Sequence, residues 1–142
     1  MRIYLDNCCY NRPYDDQESL PIRLESEAKM MIQSKIKNGE LELVWSFILE
    51  YENDANPDEE IKLRISKWKD LAIQIQLGTS TIINNSKKFR KLGLSEFDSI
   101  HLACAIESKS KYFITTDKGI LKKRNHFSEL KIINPTEFIV NE

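Results

Sequence analysis

Short apolar runs with strand character alternate along this chain with longer stretches of helical period, and that alternation narrows the fold to one class. Ile3-Tyr4-Leu5 reads as a buried strand, closed by Asp6 and followed by a polar loop through Asn11, Arg12, Pro13, Asp15 and Asp16. A helix is expected from about Leu20 to Lys37, with Leu24, Ala28, Met31, Ile32 and Ile36 on one face and Asn38-Gly39 as its stop. Leu41 to Trp45 reads as a second strand, after which Ser46 caps a helix carrying Phe47 to Glu50. Ile61, Ile65, Trp68, Ala72 and Ile75 form the stripe of an amphipathic helix, whereas residues 79–85 fit a short strand or a loop equally well. Ser95 caps another helix, apolar almost all round from Ile100 to Ile106. Lys111 to Thr116 and Leu130 to Ile133 are the last strands, with a short basic helix between them and a turn at Asn134-Pro135. Strands alternating with helices imply right-handed crossovers, so the expected class is α/β, a parallel sheet with helices on both faces.

Size and composition are compatible with one such unit. With 142 residues, 41% hydrophobic and 30% charged, residues 1–142 are expected to form a single domain, since no repeat or Gly/Ser linker divides them. No apolar run approaches the roughly 18 residues of a spanning helix, and the N-terminus lacks a signal peptide's pattern; a cytoplasmic protein with no membrane partner is expected. Cys8, Cys9 and Cys104 are odd in number and two are adjacent, which makes no disulfide framework. Without C-x-x-C or H-x-x-H spacing, zinc is not expected, and Cys104 reads as a structural thiol in an apolar helix.

Charge is distributed unevenly. Residues 1–60 hold six Lys/Arg against fourteen Asp/Glu, whereas residues 86–131 hold eleven against five. The basic excess lies in Lys87, Lys88, Arg90 and Lys91 and in Lys122, Lys123 and Arg124. Such runs are commonly solvated faces, but basic clusters beside an acidic site also suit a centre that handles phosphates.

Four carboxylates fall at informative places. Asp6 and Asp117 each close an apolar strand, and in open parallel sheets ligands bind at that edge, where the strand order switches. Glu50 and Asp98 lie in the first turn after a Ser cap, and such helix starts sit at the same edge. Each has a plain reading as well: Asp98 completes the Ser95-Glu96-Phe97-Asp98 capping box, Glu50 favours the helix dipole, and Asp117 caps the next helix. Asp6 is harder to account for, because a carboxylate on the innermost strand is costly to bury without a partner or a metal. All-oxygen ligands select Mg²⁺ or Mn²⁺, which lower the pKa of bound water and neutralise charge on a phosphodiester.

Ile3-Tyr4-Leu5-Asp6-Asn7, Ser46-Phe47-Ile48-Leu49-Glu50, the stretch Leu94 to Ala103 around Asp98, and Phe113-Ile114-Thr115-Thr116-Asp117 resemble, in order and spacing, the acidic signatures of PIN-domain nucleases. Asn134-Pro135-Thr136-Glu137-Phe138 is similar to the family's Pro-x-x-Phe ending, so the likeness covers essentially the whole chain. It implies a three-layer α/β/α sandwich of strand order 3-2-1-4-5. It further implies a metal held directly or through water by Asp6, Glu50, Asp98 and Asp117, and cleavage of RNA to 5′-phosphate and 3′-hydroxyl ends. Compact VapC-type toxins share these motifs, which makes a cognate antitoxin protein and a homodimer expected partners. Two departures stand out. Asn7 replaces the usual Thr or Ser, though it can still bond a metal-bound water, and Gly119 stands where many relatives carry another acid, leaving one or two metal ions open.

Further residues have both a site and a packing reading. Thr116, beside Asp117, is placed to orient a ligand or bind phosphate, or simply to pack in its strand. His101, one turn after Asp98, reads as a core or surface histidine. Tyr10, Arg12 and Tyr14, in the loop above the expected site, are candidates to stack on or pair with single-stranded RNA. The principal alternative function is a catalytically silent PIN-fold module that binds RNA or protein. A receiver or aspartate-nucleophile phosphatase is disfavoured, because the first strand lacks D-x-D and no suitable Lys follows a late strand.

Overall fold

The computed structural model describes residues 1–141. The chain runs β1 (Arg2–Leu5), α1 (Asn7–Asn11), α2 (Leu20–Lys37), β2 (Glu42–Ser46), α3 (Phe47–Asp54), α4 (Glu59–Ser66), β3 (Gln74–Gln76), α5 (Ser80–Arg90) and α6 (Glu96–Glu107). It then forms β4 (Tyr112–Ile114), α7 (Lys118–Leu121), β5 (Lys131–Ile133) and α8 (Pro135–Asn141), with 3-10 turns at Arg12–Tyr14, Lys67–Leu71 and Arg124–His126. All strands pair in parallel, in the order β3-β2-β1-β4-β5.

The innermost strand, β1, is apolar without alternation after Arg2. Ile3, Tyr4 and Leu5 are fully buried, as a strand covered on both faces requires. Tyr4 pairs with Val44 on one side and Phe113 on the other, its ring stacked on Phe113 at 5.4 Å. Helices cover the sheet, α2 packing against α8 and α5 against α6. The buried apolar residues form one cluster from Ile3 to Phe138, and Phe138 of the Pro-x-x-Phe ending meets Tyr112 edge to face at 5.1 Å. This is the expected α/β/α sandwich of order 3-2-1-4-5. Among the described residues no helix is long and apolar enough to cross a membrane.

Four local expectations are corrected. The amphipathic stripe from Ile61 to Ile75 is not one helix: α4 stops at Ser66, a 3-10 turn follows, and Ile75 lies in β3. Sheet pairing overrides the helical period there, since Ile73 N–H donates to Leu43 O at 2.8 Å and Ile75 pairs with Trp45. Residues 79–85 are neither strand nor loop but the start of α5, where Thr79 Oγ1 accepts Ile82 N–H at 3.2 Å. Its β-branched residues hide the helix from a propensity reading. The polar stretch after Asp6 begins as α1, and Asn134-Pro135 starts α8, with Asn134 Oδ1 accepting Thr136 N–H at 2.8 Å.

Candidate active site

The carboxyl ends of the parallel strands β1, β2 and β4 lie at one edge of the sheet, and the groups there are tied together before any ligand is considered. Asp6 is almost wholly buried, and its two oxygens are already oriented. Oδ1 accepts Asn7 N–H at 2.8 Å, and Oδ2 accepts the Thr115 hydroxyl at 2.8 Å. Thr115 Oγ1 in turn accepts Asp117 N–H at 3.0 Å, so one hydroxyl links the ends of the two central strands. Thr116, the residue singled out from the sequence, instead turns its N–H to Cys8 Sγ at 3.4 Å. Cys8 Sγ also lies 3.5 Å from Asp6 Oδ2.

Asp98 stands in the first turn of α6, where Ser95 Oγ accepts its N–H at 3.1 Å, as the capping reading requires. Capping does not exhaust its role. Burial, joined by the negative charges of Asp6 and Asp117, pushes its carboxyl up to about 6 against the opposing pull of Ser95 and His101. Asp117 is exposed and caps α7, its Oδ1 accepting Ile120 N–H at 3.1 Å. A Cβ at Gly119 would stand 3.0 Å from that same oxygen, so the glycine gives the Asp117 carboxylate room.

Glu50 stands in the first turn of α3 after the Ser46 cap, as expected, with its carboxylate engaged elsewhere. Glu50 Oε2 accepts the Trp45 indole N–H at 2.8 Å and lies 3.6 Å from Lys69 Nζ, and among the described residues no hydrogen bond or ion pair joins it to Asp6, Asp98 or Asp117. Glu52, two residues on, shares partners with Asp6: it accepts Asn7 Nδ2–H at 3.3 Å and hydrogen-bonds His101 Nε2. Asn7 thereby bridges Asp6 and Glu52. His101 is buried, its Nδ1 2.7 Å from Tyr4 Oη. Burial alone would lower its pKa, but the Glu52 hydrogen bond and the nearby Asp6 raise it above the ordinary value. Sequence reasoning missed Glu52, Thr115 and Tyr4. The available signals were a second acid on the same helix, a hydroxyl beside the strand-ending Asp, and a lone phenol in an aliphatic strand.

The proposed RNA contacts separate into free and committed groups. Tyr10 is fully buried and so cannot stack on a base. Arg12 is bound to Asp15 and Glu25, both at 3.0 Å, while Tyr14 is exposed. Lys87, Lys88, Arg90 and Lys91 are exposed at the C-terminal end of α5, where they also favour the helix dipole. Lys87 and Arg90 line a groove of about 290 Å³ with Phe47, Ile83 and Ile100. Lys122 and Arg124 line another, and Arg124 pairs with Glu137 at 3.5 Å. The two basic runs meet in space, since Lys123 lies against Gly93 just after α5.

No family model and no curated protein matches the sequence. Solved structures do match the fold. A chain of VapBC2 from Rickettsia felis, bound to a DNA fragment from its promoter, superposes with a TM-score of 0.57 at 14% identity, over 94% of this chain and 98% of that one. For FitAcB from Neisseria gonorrhoeae the TM-score is 0.61 at 15% identity, over 94% and 97%. For VapBC-1 from nontypeable Haemophilus influenzae it is 0.59 at 16% identity, over 96% and 99%. The fold is that of a PIN domain. At such identities the likeness is one of backbone, so the chemistry rests on this chain's own side chains. In this chain Asp6 follows β1, Asp117 caps α7 after β4, and Asp98 stands in the first turn of α6.

Proposed function

We propose that this PIN-fold chain is a divalent-cation-dependent ribonuclease with its centre at Asp6, Glu52, Asp98 and Asp117. The observation that carries the reading is the link between the acids: the Thr115 hydroxyl donates to Asp6 Oδ2 and accepts Asp117 N–H, and burial together with those two charges raises the nearby Asp98 carboxyl. Carboxylates gathered this way favour a hard cation, and their oxygen-only donor set suits Mg²⁺ or Mn²⁺. Among the described residues no three His, Cys, Asp or Glu side chains converge closely enough to ligate one ion directly. Waters completing the cation's shell are consistent with that, since Mg²⁺ dehydrates reluctantly. Glu50, held by Trp45 and Lys69, has no part in this set.

When bound, such a cation supplies Lewis acidity for water attack on a phosphodiester. The protein's own groups do the rest. Asn7 and Thr115 fix the two Asp6 oxygens, so the innermost ligand needs no reorganisation. Lys87, Lys88, Arg90 and Lys91, with Lys122 and Lys123 beyond Gly93, offset the repulsion that an acidic crevice exerts on a polyanion. VapBC and FitAcB are assemblies, and by analogy this reading carries a protein antitoxin and a second copy of the chain as partners.

The test is cleavage of single-stranded RNA with Mg²⁺ or Mn²⁺. Asp6→Asn and Asp98→Asn should abolish it while the circular dichroism spectrum is kept, and EDTA should inhibit the wild type. Activity that survives full chelation rejects the mechanism. The silent-module reading gains from the Glu52–His101 bond, which engages one acid without a metal. It predicts RNA binding without cleavage, and no thermal stabilisation by millimolar Mg²⁺.

A further inference from the structure

His101 is an ionisable side chain beside Asp6 and Glu52 to which the proposed reaction gives no task. It projects from α6 and is buried to 1% exposure. A chain of hydrogen bonds holds its inner nitrogen: Nδ1 lies 2.7 Å from Tyr4 Oη, Tyr4 Oη lies 2.6 Å from Ser46 Oγ, and Ser46 Oγ accepts Leu49 N–H at 3.3 Å. Its outer nitrogen faces two carboxylates, bonded to Glu52 and 3.9 Å from Asp6 Oδ1.

The location of the ring hydrogen follows from these partners. A neutral ring protonated on Nδ1 would aim a lone pair at the Glu52 carboxylate, which is repulsive. In both other forms, the neutral Nε2–H ring and the imidazolium, Nε2 carries the hydrogen and donates to Glu52. Tyr4 accommodates either, since its hydroxyl can donate to Nδ1 or accept from it. The donor at Nε2 is therefore present whatever the ring's charge.

We propose that His101 is a positioning residue that holds Glu52 in the crevice beside Asp6, with Tyr4 and Ser46 fixing the ring. This rests on the site reading above. Glu52 has 22% of its side chain exposed and stands on a helix from which it could turn to water. The Nε2–H donor keeps it inside and eases its repulsion with Asp6. The arm also ties β1, the β2–α3 junction and α6 to one point, as partners behind metal ligands do.

The experiment measures Mn²⁺ affinity by electron paramagnetic resonance, together with RNA cleavage, on the full chain. His101→Leu should weaken Mn²⁺ binding and lower kcat/KM by roughly 10–100-fold with the fold retained. His101→Gln, whose amide N–H can stand near the place of Nε2, should recover most of both. The double variant Glu52→Gln/His101→Leu should be no worse than Glu52→Gln alone, because the histidine acts through that carboxylate. Wild-type affinity in His101→Leu, or losses that add in the double variant, would overturn the proposal. If His101→Leu fails to fold, Tyr4→Phe frees Nδ1 without emptying the core; severalfold weaker Mn²⁺ binding supports the arm, and unchanged binding overturns it. If the wild type itself binds no Mn²⁺, the site reading fails, and the ring's ¹⁵N signals in the metal-free chain then judge the arm alone. A hydrogen on Nε2 that responds to Glu52→Gln supports it; an unprotonated Nε2 refutes it.

Discussion

Replacing Asp98 by Asn should make the metal-free protein more stable and abolish the proposed cleavage, an opposition that few structural residues show. Asp98 is raised from an ordinary 3.8 to about 6 by burial and by Asp6 and Asp117. Two units correspond to about 3 kcal/mol at roughly 1.4 kcal/mol per unit. The side chain is only half-buried, so solvent screening reduces this to about 1.5 kcal/mol. For a chain of this size that is roughly 5 °C in Tm.

The sign follows from linkage. A carboxyl whose folded pKa is raised favours the fold only when protonated, so its contribution is full below about 4 and is lost as pH rises through about 6. Asn mimics the protonated form at every pH. The Tm of Asp98→Asn should therefore exceed that of wild type at pH 7.5 in EDTA, and the gap should close towards pH 4. Mg²⁺ should then raise the wild-type Tm and barely move the variant's, because only wild type keeps the full ligand set. Differential scanning fluorimetry across pH, with and without Mg²⁺, reads all of this. A variant less stable than wild type at pH 7.5, or a gap independent of pH, would refute the electrostatic reasoning and return Asp98 to its capping role.

Two other perturbations test the rest of the molecule. Lys29 on α2 is buried with no carboxylate partner among the described residues, its Nζ 5.5 Å from the Tyr10 ring and 5.2 Å from the Trp68 ring, and burial lowers it to about 8. The shift of about 2.5 units costs roughly 3 kcal/mol at neutral pH, and the two rings return about 1–2 kcal/mol, so Lys29→Met should stabilise by about 1–2 kcal/mol at pH 7. Because a depressed lysine regains stability only as pH rises from about 8 to 10.5, urea titrations should show that advantage fading over that window; a loss at pH 7 would mean the rings outweigh desolvation. Neutralising Lys87 and Arg90 should weaken RNA binding and reduce the salt slope by about 0.7 per lost phosphate contact, with Mn²⁺ affinity unchanged; an unaltered slope would make that rim a solvated face.

The fold was legible where local pattern and tertiary pairing agree. Ile3-Tyr4-Leu5 is apolar because both faces are covered, and the same residues that predict a strand also predict its central place. Legibility failed where pairing with a distant strand decides. Ile75 continues a helical stripe in sequence, yet its backbone pairs with Trp45, and nothing within residues 61–75 announces that partner. The helix at Ser80 was obscured for the opposite reason, since its cap is local but its β-branched start reads as extended.

The site divides along the same line. Asp6, Asp98 and Asp117 are placed by strand ends and a Ser cap, features that lie within a few residues of each acid, and those three share one electrostatic field. The fourth position of the proposed site depends on helix phase. Glu50 and Glu52 stand about 200° apart around α3, so only one can face the crevice, and both have the chemistry to do so. What separates them is remote: the indole N–H of Trp45 and the ammonium of Lys69 hold Glu50 away, while Asn7 of the first helix and His101 of the sixth receive Glu52. An acid on α3 was readable from the sequence; its identity depends on four partners drawn from four other segments of the chain, and that is information only the packed structure carries.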